Sequence, residues 1–186
     1  MAGVKAAFPR VSYAELERWP EDGRRYELYD GEVFEIPTPI LLHQLVLGRL
    51  YVALVEYVRV HGGLVAVAPL DIILTQFDVV QPDIVYFTPE RRSLLDVRSR
   101  PRIPPDLAIE VLSPGTAAND RGRKLRLLET HGVCEYWLVD VDAPAVEVYL
   151  LDGGRFRHPQ TARAADRIAS SLLPELHLLP ADLVRD

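Results

Sequence analysis

The chain has 186 residues, 48% hydrophobic and 26% charged, and a net charge of −6. That length suffices for one domain with a substantial apolar core, and the acidic balance excludes a uniformly basic, histone-like nucleic-acid binder while leaving room for a local basic patch. The single cysteine, Cys134, has no partner for an internal disulfide and, set in an apolar strand pattern, reads as a buried thiol suited to a reducing cytosol.

The opening MAGVKAAFPR lacks the apolar core of a signal peptide. No stretch reaches the roughly 20 apolar residues that cross a bilayer, so a cytoplasmic chain with no membrane partner is expected. Ser12 to Trp19 predicts a short helix, capped by Ser12 with Glu15 three residues later. YELYDGEVFEI predicts a hairpin turning at Asp30-Gly31, ended by Pro37 and Pro39. LLHQLVLGRLYVALVEYVRVHGG predicts the longest helix, with Leu42, Leu45, Val46, Leu50, Ala53, Leu54, Tyr57 and Val58 at helical spacing and a stop at His61-Gly62-Gly63. Apolar residues on its other faces predict that it is well covered.

LVAVAPLDIIL predicts one strand, and IVYF, just after Pro82-Asp83, a second. Glu90 to Arg102 reads as a loop or short helix rich in arginine: Arg91, Arg92, Arg98, Arg100 and Arg102. DLAIEVL is a third strand, Asn119 to His131 a helix stopped by Gly132, and CEYWLVD a fourth strand with Tyr136 and Trp137 in the core. AVEVYLLDGGRFRH predicts a closing hairpin, and LLPELHLLPADLVRD a tail apolar enough to dock on the body. The sum is an α/β or α+β sheet protein over residues 1–186, with hairpins added at both ends. GxGxxG, P-loop and GxSxG motifs do not occur in it, which removes support for dinucleotide, NTPase and serine-hydrolase readings.

One residue breaks the apolar pattern. Alternation puts Asp106, Ala108, Glu110 and Leu112 on one face of the third strand, so Glu110 sits among apolar neighbours and needs a partner. Asp83 opens the preceding strand. Two neighbouring carboxylates repel one another, and a hard divalent cation relieves this. Lys124, four residues after Asp120 on the same helix face, can reach the strand ends and stabilise charge at a phosphate. The structural alternatives are an Asp83 that binds backbone amides, a Glu110 paired with a structural arginine, and a Lys124 in an exposed ion pair with Asp120, worth only ~0.3–0.5 kcal/mol.

QPDIVYF, IEVLSP and NDRGRKLRLLETHGVCEYWLVD, preceded by YELYDGEVFEI, resemble in that order the Uma-type restriction endonuclease family of the PD-(D/E)XK nuclease superfamily. The likeness runs from about Tyr13 to Leu151. It implies a restriction-endonuclease-like core, a mixed sheet flanked by helices. It implies that Asp83 is the PD aspartate, Glu110 the acid of the second element, and the Val111 carbonyl a further ligand of Mg²⁺ or Mn²⁺. Position 112 is leucine where the superfamily pattern has lysine, and the resemblance points to Lys124 as the replacement. Glu27 and His43 also match the family's pattern; each would complete the metal shell, position a water or contact phosphate, against the alternatives of a polar hairpin face and a satisfied helix-start histidine. The implied activity is metal-dependent endonucleolytic cleavage of DNA leaving 5′-phosphate and 3′-hydroxyl ends, by a homodimer. The basic segment Arg91 to Arg102, with Arg121, Arg123 and Arg126, would then meet the phosphate backbone. The rival readings are a catalytically degenerate DNA-binding or regulatory protein of the same fold, and a nuclease of RNA or structured DNA.

Overall fold

The computed structural model describes residues 10–185; the signal-peptide reading of the N-terminal segment concerns residues almost all outside that range. Helix α1 (Tyr13–Leu16) forms where predicted. The Ser12 Oγ accepts from the Glu15 N–H, and the Glu15 carboxylate accepts from the Ser12 N–H at 2.8 Å. Strands β1 (Arg25–Tyr29) and β2 (Glu32–Ile36) make the predicted hairpin. Its turn residues Asp30 and Gly31 have φ of 51° and 77°, the left-handed pair that a two-residue hairpin turn demands.

Helix α2 (Leu41–His61) follows. Its inner face, Val46, Leu47, Leu50 and Leu54, is buried, but Leu41, Leu45, Val52 and Val60 lie exposed on the outside, so the helix is covered on one side rather than well covered. The expectation that no segment has the length and composition of a membrane span is corrected here too: α2 has 21 residues and a mean hydropathy of 1.3 over its most apolar window. It is apolar on more than one face, as the sequence has it, and one of those faces packs on the main sheet.

Strands β3 (Leu64–Val67), β4 (Ile72–Ile73), β5 (Val79–Val80) and β6 (Ile84–Phe87) come next. The single strand predicted across LVAVAPLDIIL is thus two strands in two different sheets. Pro69 has no N–H to give a ladder, and the chain leaves one sheet there to enter the other. Helix α3 (Pro89–Arg92) and a long connection lead to β7 (Leu107–Val111). The predicted helix from Asn119 is in fact α4 (Ala117–Asn119), a π-helical turn (Asp120–Lys124) and α5 (Leu125–Thr130) in unbroken succession. The chain closes with β8 (Glu135–Asp140), β9 (Ala145–Asp152), β10 (Arg155–Phe156), β11 (Gln160–Arg163) and α6 (Pro180–Val184).

The main sheet has the order β10-β9-β8-β7-β6-β3, with β11 also paired to β9, and the small one the order β2-β1-β5-β4. All main-sheet pairs are antiparallel except β7 with β8, so the sheet is mixed. Alternation along β7 divides the core as the sequence predicts. Leu107, Ile109 and Val111 pack with Trp137 against α2, while Ala108 lies with Val85, Phe87 and Tyr136 against Leu128 of α5 and Tyr29, Ile72 and Val80 of the small sheet. The tail docks through Leu173, Leu176, Leu178 and Leu183. The fold is α+β, a mixed central sheet flanked by helices, as expected.

Candidate active site

The register of β6 on β7 pairs Ile84 with Ile109, which sets Asp83, one residue earlier, opposite Glu110, one residue later. Opposed residues of an antiparallel pair share a face, so the two acids meet at one end of the sheet. The Val111 N–H donates to Asp83 Oδ2 at 2.8 Å, and His43 Nε2 lies 3.1 Å from the same oxygen. His43 stands in the first turn of α2, where the packing of that helix on the sheet delivers it to the strand end.

Glu110 is buried, and its partner is Lys124: Nζ lies 2.8 Å from Glu110 Oε1 and 2.7 Å from Glu27 Oε1. The structure therefore brings Glu27, His43, Asp83, Glu110, Val111 and Lys124 into one place, where they line a single small cavity. Lys124 is only 4% exposed, which rules out the exposed-pair alternative. Glu27 projects from β1 of the small sheet toward the main one, because Glu27 and Tyr29 share the inward face while Leu28 packs outward with Tyr13 and Ile73. Glu27 also accepts from the Gln81 N–H at 2.7 Å and from the Tyr29 hydroxyl at 2.6 Å, and Asn119 Nδ2 donates to that hydroxyl at 2.8 Å.

The electrostatics are those of a buried, predominantly acidic cluster. Glu27, Asp83, Glu110 and Asp120 line the cavity with the Lys124 ammonium, the His43 imidazole and the Arg25 guanidinium. Burial, opposed by Lys124 and reinforced by Asp120, Asp83 and Glu27, pushes the Glu110 carboxyl well above the usual carboxylate range. Burial works against the Lys124 ammonium, but Glu110 and Glu27 outweigh it and hold its pKa well above 10.5. The causes differ, burial for Glu110 and carboxylate charge that outweighs burial for Lys124, but both directions favour the protonated form. Burial likewise raises Asp120. It also pushes the Tyr29 hydroxyl far up, with Lys124 opposing and Glu27 reinforcing, so Tyr29 remains a donor to Glu27.

The residues suit a hard divalent cation. Asp83 Oδ1 and Glu110 Oε2 accept no hydrogen bond among the described residues, since the bonds fall on Oδ2 and Oε1. Among those residues no group of three or more histidine, cysteine, aspartate or glutamate side chains is placed to hold a metal ion by itself; Mg²⁺ commonly takes one or two carboxylates and leaves the other positions to water and phosphate. The cavity is about 30 Å³, room for an ion or a water and far below the ~300 Å³ of pockets that engulf an organic ligand.

The arginine segment is placed otherwise than expected. It joins the far end of β6 to the start of β7, so the length of a strand, about 13 Å of extended chain, separates it from the acidic pair. Arg91 pairs with Asp106 at 3.0 Å and donates to the Pro104 carbonyl at 2.6 Å, Arg92 donates to the Gly63 carbonyl, and Arg100 pairs with Glu17 and Asp71. Arg98 and Arg102 are exposed. Arg121 is paired with Glu147, and Arg123 grips Glu32 through both terminal nitrogens while its guanidinium covers the Tyr29 ring. Cys134 is half-buried rather than buried, its Sγ 3.9 Å from Asp106 Oδ1.

The model of the family described as Uma2, "putative restriction endonuclease", matches residues 13–182. The chain belongs to the Uma2 family. The uncharacterized protein slr1290 of Synechocystis sp. is 29% identical over 150 residues, covering 78% of this chain and 75% of its own. A crystal structure from Anabaena variabilis, described as a "putative nuclease belonging to DUF820", superposes with a TM-score of 0.78 at 22% identity, over 94% of this chain and 97% of that one. At that identity the likeness speaks for the fold alone. Within this Uma2 protein, sequence reasoning missed four residues of the cluster: Tyr29, Gln81, Asn119 and Asp120. Two carried a signal. Tyr29 follows Glu27 by two in a strand and so shares its face, and Asp120 was already placed on the face of Lys124.

Proposed function

We propose that this Uma2 protein is a divalent-cation-dependent nuclease that hydrolyses phosphodiester bonds of DNA. The observation that supports it most is the Asp83–Glu110 pair opposed across two strands, with a buried lysine amine 2.8 Å from Glu110. Asp83, Glu110 and the Val111 carbonyl are the groups that would hold Mg²⁺ or Mn²⁺. Bound there, such an ion supplies a water of lowered pKa and neutralises charge on phosphate oxygens.

The chain's own groups do the rest. Val111 N–H and His43 fix one oxygen of Asp83 and so orient the other toward the cavity. Glu27, held by Tyr29 and Gln81, positions Lys124 from the side opposite Glu110. The ammonium then offers a hydrogen bond and a positive charge to the phosphoryl oxygens as negative charge builds on them. The cavity is too small to admit a nucleotide, so the backbone of the nucleic acid meets it from outside, where Arg25, Ser113 and Thr116 lie on its lining. A degenerate binding protein is the rival, since Leu112 stands where the superfamily has lysine; the amine of Lys124, delivered to Glu110 from the helix, weighs against it.

Supercoiled plasmid with Mg²⁺ or Mn²⁺ is nicked or linearised by the wild type, and Asp83→Ala and Glu110→Ala lose at least a hundredfold in rate. Equal cutting by all three would refute the assignment, and a wild type that shifts DNA in a gel yet neither cuts it nor binds the cations would favour the rival.

A further inference from the structure

Asp120 has no part in the reading above, yet it is as enclosed as any acid of the cluster, 1% exposed. It opens the π-helical turn that Lys124 closes, and it lines the cavity with Asp83 and Glu110. Among the described residues neither of its oxygens accepts a hydrogen bond. The Lys124 ammonium stands 3.6 Å away, beyond hydrogen-bond length, with shorter bonds to Glu27 and Glu110. The Thr116 hydroxyl is near enough to favour the charged form, and it also contacts Ser113 Oγ at 3.0 Å, where either hydroxyl can be the donor.

Glu135 shows what the fold does for a buried carboxylate it means only to bury. Its oxygens accept from Trp137 Nε1, from both hydroxyls of Ser170 and Ser171, and from the N–H groups of Ser171 and Leu172. Asp120 has the same burial and none of these donors. A buried carboxylate with no donor in hydrogen-bond contact is costly; the ammonium 3.6 Å away offsets part of that cost, and a proton or a bound cation offsets the rest. The π-helical turn adds to the case, for such turns sacrifice α-helical bonding and gather at functional sites.

We propose that Asp120 is a further carboxylate of the divalent-cation site, contributed from the helix side through a water of the ion and facing the strand acids Asp83 and Glu110. The proposal rests on the reading of those two strand acids as cation ligands. Its chemistry is the ordinary preference of hard cations for carboxylate oxygen. It gives the π turn a purpose, the display of an anion for the metal and a cation for the phosphate from one helix face.

The test uses Mn²⁺ alone, without nucleic acid, titrated calorimetrically into the full chain as wild type, Asp120→Asn and Asp83→Ala, with urea midpoints for each metal-free protein. Asp120→Asn is expected to bind Mn²⁺ at least tenfold more weakly while its metal-free midpoint holds or rises, because asparagine removes charge without breaking a hydrogen bond. Wild-type affinity in Asp120→Asn overturns the proposal and leaves the strand acids untouched. A lowered metal-free midpoint in that variant overturns it too, by assigning Asp120 to holding Lys124. Undiminished binding in Asp83→Ala defeats the reading of the strand acids instead, whatever Asp120→Asn does.

Discussion

Lys124 is the residue on which the cluster balances. Its amine lies 2.7 Å from Glu27 and 2.8 Å from Glu110, and all three side chains are buried. Removing one member of such a group leaves charge buried without compensation, at a cost of about 3–5 kcal/mol. Lys124→Met therefore loses roughly that much stability in urea unfolding of the metal-free protein at pH 7; a loss near zero would mean the amine is not held where the structure has it. The pH sign follows from the shift. The folded pKa of Lys124 lies above the ordinary 10.5, so the folded state keeps a proton that the unfolded state gives up. The lysine's own contribution is thus fully present at neutral pH and is lost only as pH climbs past that value. At this scale much was legible: a lone acid in LAIEVL demanded a partner, and the family resemblance pointed to Lys124 as the amine where position 112 is leucine. What stayed hidden was burial. Lys124 and an exposed helical lysine look alike in sequence, because only the packing of α5 against the sheet decides which way that face turns.

At the scale of elements, β7 and its neighbours do the positioning. The alternation of β7 put Glu110 on one face and its aliphatic neighbours on the other, and that was readable from a period of two. The antiparallel register that sets Asp83 opposite Glu110 was not, since it depends on which strands pair. The π-helical turn has no signature, being a shift of backbone bonding within a sequence that reads as plain helix. The dissection of LVAVAPLDIIL was signalled by Pro69, but its direction into a second sheet was not. Beyond the site, β8 pins the tail through Glu135, whose oxygens accept from the main-chain N–H groups of Ser171 and Leu172 at 2.7 and 3.0 Å. Losing both leaves buried donors unmade, at about 1–3 kcal/mol each. Glu135→Ala is accordingly expected to cost about 3 kcal/mol and to open residues 164–179 to limited proteolysis, with plasmid cleavage retained at temperatures where the variant stays folded. An unchanged digestion pattern would show that the apolar contacts of Leu173 and Leu176 suffice to hold the tail.

Across the whole molecule, the site is a junction. Glu27 comes from the small sheet, His43 from α2, Asp83 and Glu110 from the main sheet, and Lys124 from the helix that covers it. No single element contains the chemistry, which is why short stretches of the sequence were each weak and their order was strong. The same arrangement explains how an acidic chain of net charge −6 can be a nuclease: charge that repels DNA at large is concentrated in a pocket where a divalent cation would reverse its sign locally. The central claim is that Asp83 and Glu110 hold that cation, and anomalous diffraction from crystals soaked in Mn²⁺ tests it most directly. The account predicts a Mn²⁺ peak within coordination distance, about 2.0–2.3 Å, of both Asp83 and Glu110, with the Lys124 amine beside it; no peak there, or one bound elsewhere on the protein, would contradict it.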